Sequence, residues 1–267
     1  MSQTLIEAPL DRAIVLAMED AQSTVAQAVE YLVTEDDDPV DNLFSEKQQR
    51  LLTRSLYSSW TPPPVADNPE QKRLFLAAAN VGVFYAINRP PIVPDLFLSL
   101  DVQVAEDWYA KRHRSYFVWE FGKVPELALE IVSNREGDES SRKLNSYARI
   151  GVLYYVVYDP DQKLSEEVLQ SFVLRDGDYQ RLTNHYFPRI GLGLTLWQGG
   201  FEGKSDTWLR WRDAQGQLIA TGEERAVQAE TALQAEANAR HRAENEAQEL
   251  RAELARLREQ LSTQPHD

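Results

Sequence analysis

The sequence predicts an α/β fold, in which a mixed central β-sheet is flanked by helices and a long C-terminal helix follows. Segments with helical spacing of apolar residues alternate with short runs rich in valine, isoleucine and aromatic residues. The run VLYYVVYDP at 152–160 is apolar almost throughout, which is typical of a central strand buried on both faces. From Gly222 onward, Ala, Glu, Arg, Gln and Leu dominate, and apolar residues recur every three or four positions.

Two helices are predicted within the α/β region. Residues 43–59 place leucines and a phenylalanine on one stripe, and the helix should end at Trp60 because three prolines follow at 62–64. A second helix should run from about 137 to 150, where Gly151 caps it.

The predicted strands are short runs of β-branched and aromatic residues. In chain order they are 75–87, 92–100, 126–134, 152–160, 168–174 and 178–182. The turn Asp176-Gly177 predicts that the last two form a hairpin. The aromatic-rich segment 191–213 is predicted to seal one edge of the sheet.

Both ends of the chain differ from the middle. Residues 1–40 predict an accessory helix over 9–33 and an acidic linker, because the carboxylates at 35–38 lack the glycine of a calcium loop. Residues 41–213 form the predicted α/β domain. The heptad pattern at 222–262 is compatible with a lone solvated helix, but its length favours a coiled coil that forms a homodimer.

Composition excludes several classes of protein. The absence of cysteine excludes disulfide scaffolds, thiolate metal sites and cysteine nucleophiles. No apolar run is long enough to span a membrane and the N-terminus does not resemble a signal peptide, so a cytoplasmic protein without membrane contact is expected. Gly191-Leu-Gly193 lacks the third glycine of a dinucleotide loop, so no nucleotide cofactor is expected.

The net charge of -14 lies mostly at the two ends of the chain. Residues 1–42 carry ten acidic residues and one basic residue, and residues 222–267 carry ten acidic and six basic. The segment 43–221 therefore has 22 acidic and 21 basic residues. Its near neutrality leaves a nucleic-acid partner open, although the total charge argues against one.

Polar residues occupy unusual places in two predicted strands. Asp95 follows Pro94 inside IVPDLFLSL, and Glu130 lies in the middle of ELALEIVSN. Lys143 follows 13 residues later on the next helix, with Tyr147 one turn further on. Two carboxylates from neighbouring strands can hold Mg²⁺ (or Mn²⁺), and a lysine can orient water or offset charge on a phosphate.

Each of these residues also has an ordinary structural interpretation. Asp95 could cap a turn at the start of a strand, and Glu130 could be a surface residue of an edge strand. Lys143 on an amphipathic helix could be solvated, with Tyr147 beside it. Their order and spacing together favour the site.

Three segments carry a resemblance to a known family: IVPDLFLSL, PELALEIVS and SRKLNSYARIGVLYYVVYDP. In this order, over residues 40 to 200, the chain resembles the Uma-two-type restriction endonuclease family of the PD-(D/E)xK nuclease superfamily. The resemblance implies a restriction-endonuclease-like fold and a magnesium-dependent endonuclease acting on DNA.

The motif matches residue by residue, with one departure. Pro94-Asp95 matches the superfamily's PD, and Glu130 matches its (D/E), but Val132 stands where the lysine is expected. The resemblance implies that Lys143 supplies the displaced lysine. It also implies a further metal ligand on the first helix, for which Glu46 is the match.

Basic residues near these motifs are candidates for binding nucleic acid. Lys111, Arg112 and Arg114 form a cluster among aromatic residues, which could contact phosphates and stack on bases or be a solvated hairpin tip. Arg135 and Arg142 lie close to the proposed site in sequence and could steer a polyanion.

Two other classes of function remain open. One is a catalytically silent nuclease-fold protein that acts as a binding or assembly module through its coiled coil, favoured by Val132 and the acidic ends. The other is a protein that binds nucleic acid through segment 111–114 without cutting it.

Overall fold

The computed structural model describes residues 42–65, 72–133 and 137–262, with a few further positions between 21 and 32. The chain divides into two compact units, residues 1–219 and 220–267. Most of the predicted N-terminal helix over 9–33, and the whole acidic run at 35–38, lie outside the described residues.

The helices begin and end where local side chains dictate. From residue 42 onward, the described ranges contain α1 (Leu43–Ser59), α2 (Val118–Phe121), α3 (Gly137–Ile150) and α4 (Gly222–Ser262), with a 3₁₀ turn at Lys111–His113. Asn42 caps α1, since its side-chain oxygen accepts hydrogen bonds from the backbone N–H groups of Phe44 and Ser45 at 3.0 Å. Trp60 adopts an extended backbone ahead of the proline run and ends the helix as predicted.

The strands form three sheets. They are β1 (Phe75–Ala78), β2 (Val83–Phe84), β3 (Leu96–Leu100), β4 (Tyr116–Phe117), β5 (Leu127–Ile131), β6 (Tyr154–Tyr158), β7 (Leu169–Arg175), β8 (Asp178–Arg181), β9 (Tyr186–Phe187), β10 (Leu192–Phe201) and β11 (Lys204–Arg212). The main sheet has the order β1-β3-β5-β6-β7-β8. Its central pair β5–β6 is parallel and its other pairs are antiparallel, which makes the sheet mixed as predicted.

Two of the predicted strand assignments were wrong. The run 75–87 is not one strand, because the chain turns at Asn80, whose φ of 53° is left-handed, and β2 then pairs with β4 instead of the main sheet. Segment 191–213 does not form an edge of the main sheet. Its strands β10 and β11 pair with each other over nine positions and form a separate sheet with β9.

Both faces of the main sheet are buried, as the alternating residues of β5 illustrate. Leu127, Leu129 and Ile131 point into a core shared with α1 and the β9–β11 sheet. Ala128 packs in a second core on the opposite face, together with Tyr147 of α3. Since side chains alternate along a strand, Glu130 lies on the α3 face. The alternation that the sequence predicted for this strand therefore sets the position of the carboxylate.

Helix α1 is fixed to the β9–β11 sheet by a buried glutamine. Gln48 is fully buried, its Nε2 donates to the carbonyl of Leu209 at 2.8 Å, and its Oε1 accepts from the Leu209 N–H at 2.9 Å. The indole N–H of Trp211 also donates to the carbonyl of Leu52 at 3.1 Å. These bonds fix the rotation of α1, and with it the direction of the next residue, Gln49.

Helix α4 is 41 residues long. Leu250 and Leu254, two positions of the predicted heptad seam, have more than half of their surface exposed in the single chain. Within the part of the chain that the structure describes, no helix combines the length and apolar character needed to cross a membrane.

We expect Gln48→Ala to lower the free energy of unfolding by about 1–3 kcal/mol, because it leaves the N–H and carbonyl of Leu209 buried without partners. Urea unfolding followed by circular dichroism measures the loss. The matched control is Gln180→Ala on β8, which is exposed and should change the stability by less than about 0.5 kcal/mol. Equal effects of the two substitutions would contradict the anchoring role of Gln48.

Candidate active site

The start of β3 and the end of β5 meet at one edge of the sheet. Because these strands are antiparallel, with Leu96 opposite Leu129, Asp95 is placed beside the last residues of β5. Its Oδ2 accepts a hydrogen bond from the backbone N–H of Ile131 at 2.5 Å. Asp95 is thereby tied to the residue that follows Glu130.

Glu130 is the centre of a buried polar cluster. Its side chain is 7% exposed, and its Oε2 lies 2.8 Å from Nζ of Lys143. The hydroxyl of Tyr147 donates to the other oxygen, Oε1, at 2.6 Å. The alternative of a surface residue on an edge strand is excluded, because β5 lies between β3 and β6 and Glu130 is buried.

Burial raises the pKa of Glu130 above its ordinary value, because a buried carboxylate loses its hydration. The positive charge of Lys143 and hydrogen bonds from Lys143, Tyr147 and Asp95 oppose this rise without cancelling it. Asp95 lies beside Glu130, since its Oδ2 accepts from the backbone N–H of Ile131, the next residue along β5. Two carboxyl groups close together favour either a shared proton or a cation.

Tyr147 remains protonated at neutral pH. Burial and the neighbouring Glu130 raise its pKa well above the ordinary value of 10. Its hydroxyl can therefore serve as a permanent donor to Glu130, which holds the carboxylate in one orientation. Lys143 and Tyr147 are four residues apart on α3, so both reach the same strand.

Val132 lies on the same side of β5 as Glu130, two residues further along. Its backbone N–H donates to the carbonyl of Tyr158 at 2.8 Å, and its side chain packs against the core that contains Tyr147. A lysine at this position would point to the α3 side of the sheet. Lys143 brings an ammonium group to that side from the helix.

Gln49 and Asn80 complete the surroundings of Asp95, and sequence reasoning missed both. The Nε2 of Gln49 lies 3.3 Å from Oδ1 of Asp95, and its Oε1 accepts from Nδ2 of Asn80 at 3.1 Å. Gln49 is 4% exposed. Two adjacent glutamines within the apolar stripe of α1 are the signal that could have revealed them, because buried amides require partners.

The structure does not bring Glu46 to the other two carboxylates, so its assignment as a metal ligand stays a prediction without support from the geometry. Its side chain is half exposed and pairs with Arg50 at 2.7 Å, within a set of basic residues of α1 that also binds Glu202. Across the described ranges, no group of three or more His, Asp or Glu residues is placed to hold a metal. On α1, the residue that reaches Asp95 is Gln49.

The predicted nucleic-acid contacts lie on separate elements. Arg142 is exposed on α3, whereas Lys111, Arg112 and Arg114 lie between β3 and β4. Arg135 lies outside the described residues.

Only some of the aromatic residues near this basic turn are exposed enough to stack on a base. Tyr116 and Phe117 are buried and cannot meet a base, whereas Trp108 and Tyr109 are 60% and 79% exposed. The side chain of Arg114 donates to the carbonyl of Tyr109 at 2.9 Å, which links the aromatic pair to the basic turn.

The donor set formed by Asp95 and Glu130 fits one small divalent cation. Magnesium prefers carboxylate oxygens and keeps several of its waters, so it needs one or two protein carboxylates and no complete cage. Burial raises the pKa of Glu130 in spite of the nearby Lys143, so the buried carboxylate is costly to ionise. A divalent cation would stabilise its ionised form.

The chain matches one family model. The model of the Uma2 family, described as "putative restriction endonuclease", matches residues 37–195, which is more than half of the chain. The chain belongs to this family. The matched segment contains Asp95, Glu130, Lys143 and Tyr147, and the central mixed sheet flanked by helices agrees with a restriction-endonuclease-like fold. No curated protein matches the chain.

We expect Glu130→Gln to stabilise the protein increasingly as the pH rises. A carboxyl group whose pKa is raised on folding contributes its full stability below the pKa of the unfolded chain, and that stability is lost as the pH rises through the folded pKa. The glutamine side chain stays neutral, so the variant does not lose this stability as the pH rises. In thermal melts in EDTA from pH 4.5 to 8, the Tm of the variant should therefore increase relative to that of the wild type.

The matched control for this experiment is Glu120→Gln, because Glu120 is exposed. Its Tm difference from the wild type should remain constant over the same range of pH. A constant difference for Glu130→Gln as well would contradict the electrostatic cost assigned to Glu130.

Proposed function

We propose that the protein is a magnesium-dependent endonuclease that hydrolyses phosphodiester bonds of DNA. Its membership of the Uma2 family supports a nuclease-like function. The observation that carries the finer proposal is the cluster in which Lys143 and Tyr147 hold Glu130 while Asp95 is tied to the adjacent backbone.

Asp95 and Glu130 would hold the cation, either Mg²⁺ or Mn²⁺. A bound divalent cation polarises a phosphoryl oxygen and lowers the pKa of bound water, which supplies the nucleophile at neutral pH. The backbone N–H of Ile131 and the amide of Gln49 orient Asp95, and the hydroxyl of Tyr147 orients Glu130. The fixed carboxylates lower the cost of arranging the site during the reaction.

Lys143 would stabilise the negative charge that develops on the phosphate. Its side chain is 32% exposed, so the ammonium borders both the buried Glu130 and the solvent side where a strand would bind. A lysine on a helix can reach the reacting group as well as one on the strand, because its long side chain spans the difference.

The basic turn at 111–114 would contact the DNA backbone away from the reacting phosphate. Its three cations, Lys111, Arg112 and Arg114, lie next to the exposed rings of Trp108 and Tyr109. Cations beside exposed aromatic rings favour phosphate contact with base stacking.

Asp95→Ala and Glu130→Gln should each lower magnesium-dependent cleavage of plasmid DNA by at least about a hundredfold. Lys143→Ala should lower kcat with little change in DNA affinity, because it acts on the developing charge. Asp178→Ala, at an exposed carboxylate of β8, is the matched control and should leave the rate unchanged. Cleavage by Asp95→Ala at the wild-type rate would contradict the site.

A catalytically silent protein is the second candidate, and Val132 favours it because it replaces the expected lysine. Calorimetric titration with Mn²⁺ separates the two. Binding that disappears in Asp95→Ala supports the metal site, whereas no binding to the wild type supports the silent protein. DNA binding with equal cleavage in the presence and absence of EDTA would also contradict a metal-dependent nuclease.

We also propose that α4 joins two chains in a parallel or antiparallel coiled coil. Leu250 and Leu254 are exposed in the single chain, and a partner helix would bury them. Sedimentation equilibrium should give a dimer for the full chain and a monomer for Leu250→Asp/Leu254→Asp. The control Gln248→Asp/Ala252→Asp adds the same charge off the seam and should remain a dimer. A monomeric wild type would contradict this assignment.

A further inference from the structure

A pocket of about 350 Å³ lies between the end of α3 and the segment that follows β2. Its apolar floor consists of Ala86, Val118, Val124 and Ile150, and the half-buried ring of Tyr85 forms part of its wall. Two arginines, Arg89 and Arg149, complete the lining. The pocket therefore combines an apolar surface and an aromatic ring with two positive charges.

The two arginines are exposed, and the lining contains no carboxylate. Neither guanidinium group forms an ion pair or hydrogen bond with another residue in the described part of the chain. Pro90 follows Arg89 and restricts its backbone, so this arginine is presented from a stiff turn. Two adjacent cations without a protein partner favour an anionic ligand.

Arg149 continues an exposed polar line along α3. Arg142, Asn145 and Arg149 are all exposed, and their spacing of three and four residues places them on one side of the helix. Lys143 is six residues before Arg149, or about 9 Å along the helix axis.

We propose that this pocket receives one nucleotide of the bound strand, at a position away from the phosphodiester bond that is cut. Arg89 and Arg149 bind its phosphate, and its base lies on the ring of Tyr85 and the apolar floor. This inference rests on the proposed nuclease function and adds a position at which the protein holds the strand beyond the reacting phosphate.

The shape and chemistry of the pocket favour a nucleotide over other anions. A free phosphate would use the two guanidinium groups but leave the apolar floor and Tyr85 uncovered. An acidic peptide would supply carboxylates but no planar ring to stack on the tyrosine. A nucleotide matches both parts, since arginine binds phosphate through two parallel hydrogen bonds and aromatic rings stack on bases.

Fluorescence anisotropy with a labelled 20-nucleotide single strand and a 20-base-pair duplex tests the pocket. The full chain is titrated in EDTA at several salt concentrations, so binding is measured without cleavage. For Arg89→Gln/Arg149→Gln we expect a Kd about tenfold higher or more. Because the two arginines share one phosphate, the slope of log K against log salt should fall by about 0.7 for the single strand and about 0.9 for the duplex.

A matched control removes two positive charges elsewhere. Arg175→Gln/Lys204→Gln changes exposed residues on two other hairpins and should leave the Kd and salt slope close to the wild type. Tyr85→Leu retains apolar volume and removes the ring, so it should raise the Kd about fivefold or more without changing the salt slope. Circular dichroism melts establish that each variant is folded.

Three results would overturn the inference. They are equal Kd values for the arginine variant and its charge control, no effect of Tyr85→Leu, and displacement of the oligonucleotide by poly-glutamate as effectively as by unlabelled DNA. These results do not depend on the nuclease proposal, because binding is measured in EDTA. If Asp95→Ala still cleaves DNA, the catalytic site is refuted while the pocket can still bind. If the arginine variant binds like its control while Asp95→Ala loses cleavage, the pocket is refuted and the catalytic site stands.

Discussion

The burial of Glu130 is the constraint on which the rest of the candidate site depends. A carboxylate on a central strand loses its hydration, and burial accordingly raises its pKa. Three groups from two other elements lie around it: Asp95 from the start of β3, and Lys143 and Tyr147 from α3. Helix α3 must therefore pack on the sheet in one fixed position, so that Lys143 and Tyr147 reach the buried carboxylate. A bound cation would further stabilise the ionised form of Glu130.

The position of the lysine shows how such a site can tolerate a change in its motif. Val132 follows β5 at the place where the superfamily motif that the sequence resembles has lysine, and it packs against the core beside Tyr147. Lys143 delivers the ammonium group from the helix and forms a 2.8 Å ion pair with Glu130. A positive charge therefore lies beside Glu130, although it comes from position 143 on the helix and not from position 132 after the strand. The chemistry therefore depends on which groups meet in space, and a motif read along one strand describes only part of it.

Helix α1 contributes to the site through its neutral side chains. Gln48 binds both backbone groups of Leu209 and so fixes the helix on the β9–β11 sheet. Its neighbour Gln49 reaches Asp95 and Asn80. Glu46, the carboxylate expected to act, is held instead by Arg50 at the surface. The amide of Gln49 orients the carboxylate of Asp95 without adding negative charge. This suits a site that already contains two carboxylates, Asp95 and Glu130.

The sequence by itself determined the α/β class, the buried central strand and the alternation along β5, because these follow from local periodicity. It also proposed Asp95, Glu130, Lys143 and Tyr147 as candidate site residues, through a family motif. Tertiary structure decided what depends on the rotation and pairing of distant elements. It separated β10 and β11 from the main sheet, and it directed Gln49 instead of Glu46 toward Asp95. It also gathered Arg89 and Arg149, which are 60 residues apart, at one pocket. No local pattern carries that information, since side-chain contacts between elements arise only when the complete core has packed.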